Sequence, residues 1–181
     1  MYTGLIAKRY AKALFDFALS NGEDKLVYAQ VRELIGYFAS NASLKMQLAS
    51  PVTGAQFKKN IVVAGVKGGV CSSLDKFTDL VIGQGREEFL VFMLHSYTSL
   101  YREYYKIAEV ELTVATWLGA GVEQGIASMV QKSTECSSVN VSTRTDESII
   151  GGFVLRIDDM QLDASVASQL GKLKSTLLGK L

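Results

Sequence analysis

Near residue 106 of this chain of 181 residues, the spacing of apolar residues changes from a helical to a strand-like pattern. Before that point apolar residues recur every three or four positions, which is typical of helices with one buried face. After it, the stretch "AEVELTV" alternates apolar and polar residues, which is typical of a half-buried strand. Because helices and sheets bury their apolar residues in different ways, we predict two domains, residues 1–105 and 106–181.

Six helical segments are predicted in the first domain. Helix-breaking signals separate them: Asn21-Gly22, the single proline Pro51, and the glycine-rich stretches "GVKGGV" and "GQG". The apolar residues of the first segment are Ile6, Tyr10, Ala13, Leu14, Phe17 and Ala18. The second segment includes Leu26, the fourth includes Phe57 and Ala64, and the sixth and longest runs from Arg86 to about Lys106. We therefore predict a compact N-terminal six-helix bundle.

The second half of the chain mixes strands and helices. Val110, Leu112 and Val114 form the apolar face of the first predicted strand. The segments "VNVST", "GGFVLRI" and "MQLD" follow as strands, the last two joined across Asp158-Asp159 in a hairpin turn. Ser165 is a good N-cap for a last helix whose apolar stripe is Val166, Leu170, Leu173 and Leu177. The predicted fold is mainly α, with a small α+β domain at the C-terminus.

Composition limits the possible partners and compartments. Nineteen Lys and Arg against eighteen Asp and Glu give a net charge of +1, without the basic excess that nucleic-acid binding requires. The longest apolar runs, "IVVAGV" and "FLVFML", are far shorter than the roughly 20 residues that cross a bilayer, so we predict no direct membrane insertion. The N-terminus interleaves basic and apolar residues, which argues against a secretory signal. An organelle transit peptide stays an alternative, although Asp16 disfavours it.

Catalytic and metal-binding patterns are weak. Cys71 and Cys136 lie in no paired motif, which disfavours a disulfide framework and indicates a reduced intracellular compartment. His95 is the single histidine, whereas metal sites usually need several converging ligands. No Gly-x-Ser-x-Gly sequence occurs, although a Cys–His pair formed in space stays open. Asp158, Asp159 and Asp163 have ordinary turn-forming positions.

Nucleotide-binding patterns are also incomplete. The stretch "GAGVEQG", Gly119–Gly125, has its third glycine one position late for a dinucleotide loop. We also predict no parallel sheet around it, so a flexible strand-to-helix loop is the better interpretation. Gly171-Lys172-Leu173 lacks the hydroxyl that a phosphate-binding loop places after its lysine. We predict no catalytic residue, no metal site and no cofactor.

Two segments resemble a known family. "AKRYAKALFDFA" near the N-terminus and "ESIIGGFVLRIDDMQLDASVASQLGKL" near the C-terminus resemble the two ends of the delta subunit of bacterial and chloroplast F-type ATP synthases. The mitochondrial member of that family is the oligomycin sensitivity conferring protein. The resemblance spans the whole chain. It departs from the family at Asp158 and Ala164, where glycine is usual, and at Ala167, where arginine is common.

The resemblance implies a non-catalytic subunit of the peripheral stalk, which links the catalytic head to the b subunits so that the head resists rotation. It implies a peripheral location on the cytoplasmic face of the bacterial inner membrane. The N-terminal helix of an alpha subunit would lie in a groove between the first and fifth helices. The matching positions here are Tyr10, Ala13, Phe17, Phe77, Leu80 and Val81. The b subunits would bind the last helix through Val166, Leu170, Leu173 and Leu177.

Each of these interpretations has an alternative. The aromatic residues Phe17 and Phe77 could fill the core of the helical domain itself, and the last helix could pack its stripe on its own sheet. The alternative function is a small intracellular hydrolase or nucleotide-binding enzyme without a recognisable motif.

Overall fold

The computed structural model describes residues 3–50, 53–116, 125, 129–131, 136, 138–157 and 160–179. The chain divides into two compact units, Met1–Glu103 and Tyr104–Leu181, named here the helical unit and the sheet unit. Across the described residues the protein is mainly helical, with one small mixed sheet of four strands. This confirms the predicted fold class at that level.

The described residues up to 105 contain six α-helices. They are α1 (Thr3–Asn21), α2 (Asp24–Ser40), α3 (Ala42–Ala49), α4 (Ala55–Ala64), α5 (Ser72–Gly83) and α6 (Leu90–Tyr105), the last preceded by a 3-10 turn, Glu87–Phe89. α1 ends where Gly22 adopts a φ of 68°, a left-handed conformation that favours glycine. α1 packs against both α2 and α5, and α4 packs against α5.

The buried face of α1 is turned from the predicted one. Small residues dominate it: Ala7, Ala11, Leu14, Phe15 and Ala18 are buried, whereas Ala13 and Phe17 are exposed. Because alanine adds little to an apolar pattern but allows close helix packing, apolar periodicity alone misplaced this face. Three other residues predicted on buried faces are also exposed: Leu26, Phe57 and Ala64. In their helices apolar residues lie on more than one side, so periodicity does not tell which side is buried.

The sheet unit begins at Tyr104, in the last turn of α6. Its strands are β1 (Ile107–Val114), β2 (Ser138–Thr145), β3 (Phe153–Ile157) and β4 (Met160–Asp163), and the last helix is α7 (Val166–Leu177). The strand order is β2-β1-β3-β4. β1 runs parallel to β2 and antiparallel to β3, and β4 runs antiparallel to β3.

The predicted alternation of β1 is confirmed. Val110, Leu112 and Val114 are buried in one core with Leu155 of β3 and with Val130, which is helical, as are residues 129 and 131. The prediction that no parallel strands occur in this region is wrong, because β1 and β2 form a parallel pair. A parallel pair requires a crossover connection, and residues 115–137 supply it. Residues 117–124 of that connection, with most of the Gly119–Gly125 loop, and the turn Asp158-Asp159 lie outside the described residues.

A glycine pair fixes the path of the chain into α7. Gly152 has a φ of 75°, and a side chain there would meet the backbone of Ala164 and Ser165. The neighbouring Gly151 accepts a hydrogen bond from the backbone N–H of Val166, with 3.0 Å between oxygen and nitrogen. The close approach therefore holds the start of β3 against the start of α7.

Gly152→Ala should lower the free energy of unfolding of the sheet unit by about 2 to 5 kcal/mol. Left-handed backbone costs a residue with a side chain roughly 1–2 kcal/mol, and overpacking adds roughly 1–3 kcal/mol. Urea denaturation measures the change. Gly151→Ala is the matched control, because its added methyl would meet only the Val166 side chain and its φ is not positive. Equal losses in the two variants would contradict this account of Gly152.

Candidate partner-binding sites

An apolar groove lies between α1 and α5. Its lining residues are Ala13, Leu14 and Phe17 on α1 and Lys76, Phe77 and Leu80 on α5. The volume of the groove is about 270 Å³, slightly below the roughly 300–1,000 Å³ of typical small-molecule sites. All the lining side chains except Lys76 are apolar, so the groove suits a few apolar side chains better than a polar cofactor.

Helix geometry explains the shape of this groove. Leu14 and Phe77 are buried and form its floor, while Phe17 and Leu80 are exposed and form its sides. Ala13 lies beside Phe17 on the same wall, and its single methyl group leaves that wall low. A partner backbone can therefore approach α1 closely at Ala13 while its side chains contact the surrounding apolar groups.

Cationic side chains hold the aromatic rings around the groove. The Lys76 ammonium lies 5.7 Å from the centre of the Phe17 ring. Tyr10 contacts Phe77 edge to face, with 6.4 Å between ring centres. The Arg86 guanidinium lies 5.4 Å from the centre of the Tyr10 ring and donates to the Tyr10 hydroxyl over 3.1 Å. The two side chains that make these cation–π contacts, Lys76 and Arg86, place positive charge at the borders of the groove.

Most of the residues predicted to bind the helix of an alpha subunit come together here. The groove is lined by four of them: Ala13, Phe17, Phe77 and Leu80. Tyr10, about one helical turn before Ala13 on α1, contacts Phe77. Val81 does not line it: the residue is 1% exposed and lies in the core, because one step along a helix turns a side chain by about 100°.

The sequence interpretation missed two lining residues, Leu14 and Lys76. Leu14 is among the residues predicted on the apolar side of α1, and it forms the buried floor of the groove. Lys76 precedes Leu80 by four residues on α5, so helical spacing could have identified it.

Polar side chains of α2 and of the residue before it fix the start of α5. The backbone N–H of Ser73 donates to the Glu23 carboxylate over 2.9 Å, and the backbone N–H of Cys71 donates to the Gln30 side-chain oxygen over 3.0 Å. Hydrogen bonds from the Ser73 side chain and backbone lower the pKa of Glu23. Because the first N–H groups of a helix have no partner within the helix, these contacts anchor the start of α5 to α2 and to the residue before it.

A second apolar surface follows α7. Its residues, named here the leucine stripe, are Val166, Leu170, Leu173 and Leu177, and their spacing of four, three and four puts them on one side of the helix. Exposure rises along the stripe, from 51% at Leu170 through 60% at Leu173 to 86% at Leu177. The three leucines of the stripe are therefore not packed on the sheet of their own unit. This contradicts the alternative interpretation, in which the last helix packs its stripe on that sheet.

The exposed apolar surface extends to β4. Leu162 pairs with Leu155 and Met160 pairs with Ile157, so both residues are on the core side of the sheet. Leu162 and Met160 are nonetheless exposed. Among the described residues of the sheet unit, most of the exposed large apolar side chains thus lie between residues 160 and 178, with Tyr104, Met129 and Ile150 outside that range.

Hydrogen bonds anchor α7 at its first turn. The Ser165 hydroxyl accepts from the backbone N–H of Ser168 over 3.2 Å, which confirms the predicted cap. The Asp163 carboxylate accepts from the Ser168 hydroxyl over 2.6 Å and from the backbone N–H of Ser165 over 2.9 Å. These bonds, the Ser168 hydroxyl above all, lower the pKa of Asp163 to about 2. α7 is therefore held at its N-terminal end, where it also contacts the 3-10 turn Glu147–Ile149.

The reactive residue types have ordinary surroundings. Burial raises the pKa of the Cys71 thiol, which makes it a poor nucleophile. His95 is exposed on α6. Within the described parts of the chain, no three or more His, Cys, Asp or Glu residues are grouped as metal ligands would be. None of the described helices has both the length and the apolar character needed to cross a bilayer.

An open apolar groove and an uncovered leucine stripe, each on its own compact unit, are surfaces of the kind that bind other proteins. Residues 6–177 match the sequence family described as ATP synthase delta (OSCP) subunit. The chain is 34% identical to ATP synthase subunit delta of Phocaeicola vulgatus, covering 99% of this chain and 97% of the relative. It is 32% identical to the Parabacteroides distasonis protein of the same name, covering 98% of each. The chain belongs to the ATP synthase delta (OSCP) subunit family.

The fold has a counterpart among solved structures. One chain of the cryo-EM structure of the Toxoplasma gondii mitochondrial ATP synthase hexamer matches with a TM-score of 0.69 at 21% identity. The match covers 95% of this chain and 97% of that chain. At this level of identity the similarity shows the fold alone.

The carboxyl of Asp163 should titrate with a midpoint near pH 2, well below its ordinary value of 3.8. A lowered pKa means that the ionised form stabilises the folded state. The stabilisation is fully present above pH 3.8 and is lost as the pH falls through about 2. Carbon-13 NMR of the side-chain carboxyl measures the midpoint. Ser168→Ala should raise it towards 3.8, and an unchanged midpoint in that variant would show that Ser168 does not cause the shift.

Proposed function

We propose that this protein joins the catalytic head of an F-type ATP synthase to its peripheral stalk, so that the head resists rotation. Its family consists of non-catalytic subunits of that stalk. The observation that carries the proposal is the pair of uncovered apolar surfaces, one on each unit. Holding two bodies together requires two such surfaces and no reactive group. The enzyme alternative has no comparable support.

For the helical unit, we propose that the six helices act as one bundle and that the groove binds the N-terminal helix of an alpha subunit. Recognition of an amphipathic helix in a groove uses apolar anchors spaced three and four residues apart. The groove presents Phe17 and Leu80 on opposite walls, with Phe77 below and Ala13 as the low point of the α1 wall. Each well-buried anchor contributes roughly 1.5–3 kcal/mol before the costs of association are subtracted.

For the sheet unit, we propose that the leucine stripe binds the b subunits of the stalk. Leu170, Leu173 and Leu177 are exposed on one side of a helix that is anchored near its first turn. If an apolar face of a partner helix covered these leucines, their exposed apolar surface would no longer be in contact with water, which is favourable. Residues 1–105 and 106–181 would then act as two domains with separate partners.

Two separate contacts strengthen each other. When one partner is bound, the other is held near its own site, which gives a high effective concentration for the second contact. We propose that the protein works in this way as a peripheral part of the complex, on the cytoplasmic face of the bacterial inner membrane. The bacterial sources of its relatives support that location.

Ala13→Trp should weaken binding of a synthetic peptide, the N-terminal helix of an alpha subunit, by at least about tenfold, because an indole at Ala13 would fill the space that the partner backbone needs. That loss corresponds to about 1.4 kcal/mol. Isothermal titration of the peptide into the full-length protein measures it. The matched control is Ala29→Trp, an exposed alanine on α2 that does not line the groove. Equal affinity of the Ala13→Trp variant and the wild type would exclude the groove as the binding site.

Leu173→Asp should weaken binding of a synthetic peptide, the C-terminal helix of a b subunit, by more than about tenfold. It removes an apolar anchor that would contribute roughly 1.5–3 kcal/mol when buried, and it adds a charge that resists burial. Ser175→Asp adds the same charge on the opposite side of α7 and should leave the affinity within about twofold of wild type. If both variants bind the peptide as tightly as wild type, the leucine stripe does not bind the b subunits.

A further inference from the structure

The charged residues of α7 are few and of one sign. Lys172 and Lys174 are the only charged residues from Val166 to Leu177, and the helix contains no acidic residue. The acidic residue nearest in sequence, Asp163, is engaged with Ser165 and Ser168 at the start of the helix. Within α7, the leucine stripe is therefore bordered by positive charge only.

The two lysines occupy different sides of the helix. Lys174 follows Leu170 by four residues and precedes Leu177 by three, so it borders the leucine stripe. Lys172 follows Ser168 by four residues and is on the side of Asp163, whose pKa it helps to lower. Lys172 thus interacts within the unit, whereas Lys174 is placed to contact whatever covers the stripe.

We infer that the leucine stripe selects an amphipathic helix whose apolar face is bordered by acidic side chains, with one of these acids pairing with Lys174. This inference rests on the proposed binding of helices of the b subunits and specifies the chemistry of their contact face. An apolar stripe alone would accept many amphipathic helices, because the hydrophobic effect is non-directional. A charge at the border adds discrimination, since a like charge opposite Lys174 is repelled.

A protein helix fits this surface better than a lipid surface does. Helices that lie on membranes combine a broad apolar face with a polar face rich in Lys and Arg. The side of α7 opposite the leucine stripe carries Ser168, Ser175 and Lys172, so it has a single positive charge. The border lysine Lys174 is likewise alone, which suits pairing with one carboxylate of a partner helix.

The test compares two charge reversals in the full-length protein. The probe is a synthetic peptide, the C-terminal helix of a b subunit from the same organism. Lys174→Glu should weaken peptide binding by about five- to tenfold, the combined effect of a lost exposed ion pair and a new repulsion. Lys172→Glu is the matched control and should change the affinity less than about twofold. Both substitutions put an acid in the later turns of α7, so their effects on the helix dipole are similar.

A second arm changes the peptide. In this arm, the acidic residue that borders the apolar face of the peptide is replaced by lysine. The changed peptide should bind more weakly to the wild-type protein, and its binding to the Lys174→Glu variant should be restored. Equal losses in the Lys174→Glu and Lys172→Glu variants, or no loss in either, would overturn the inference. A third measurement uses anionic phosphatidylglycerol vesicles. If the Lys174→Glu variant loses binding to these vesicles but binds the peptide as the wild type does, the inference is overturned in favour of a lipid surface.

The same measurements separate this inference from the function on which it rests. If Leu173→Asp abolishes peptide binding while Lys174→Glu leaves it unchanged, the leucine stripe remains the site for the b subunits and the charge selection fails. If Leu173→Asp also leaves binding unchanged, the proposed site for the b subunits is itself wrong.

Discussion

The packing of α1 against α5 determines which apolar side chains the helical unit buries and which remain at its surface. α1 turns Ala7, Ala11 and Ala18 inward, where their small side chains allow close contact with neighbouring helices. Of its larger apolar residues, some are therefore buried and others are exposed: Leu14 is buried at the floor of the groove, and Phe17 is exposed at its side. The hydrogen bonds that Glu23 and Gln30 accept from backbone N–H groups fix the start of α5 and thereby the opposite wall. The groove follows from how the core is filled.

The sheet unit leaves apolar surface exposed by a different route. Its core is a compact cluster of strand residues with Val130, and the β4 edge lies beyond the part that this cluster covers. α7 is capped firmly by Ser165 and Asp163 but contributes no buried residue. A helix fixed at one end and uncovered along its leucine stripe is a stable platform for another protein, because the cap defines its direction without using its apolar face. Both units thus expose apolar groups on well-supported helices.

The sequence was informative wherever local spacing decides structure. Alternation identified the buried face of β1, and Ser165 was recognised as a cap because capping depends on residues within one turn. The parallel pairing of β1 with β2 was not foreseen, since the direction of a neighbouring strand leaves no local pattern. Val81 lies in the core instead of the groove, because periodicity marks the apolar sides of a helix without telling which is covered. The contacts of Glu23 and Gln30 with the start of α5 join residues that are 50 and 41 positions apart, respectively. No local sequence pattern predicts contacts at such a separation.

The role that we propose for this protein is mechanical: it would couple proton flow to ATP synthesis by holding two bodies together. The most direct measurement is proton-driven ATP synthesis in proteoliposomes that contain the complete complex, the complex lacking this protein, and the depleted complex with the protein added back. We expect that synthesis is lost on depletion, is restored by the wild-type protein, and is not restored by a variant carrying both Ala13→Trp and Leu173→Asp. Full synthesis by the depleted complex, or full restoration by the double variant, would contradict this mechanical role.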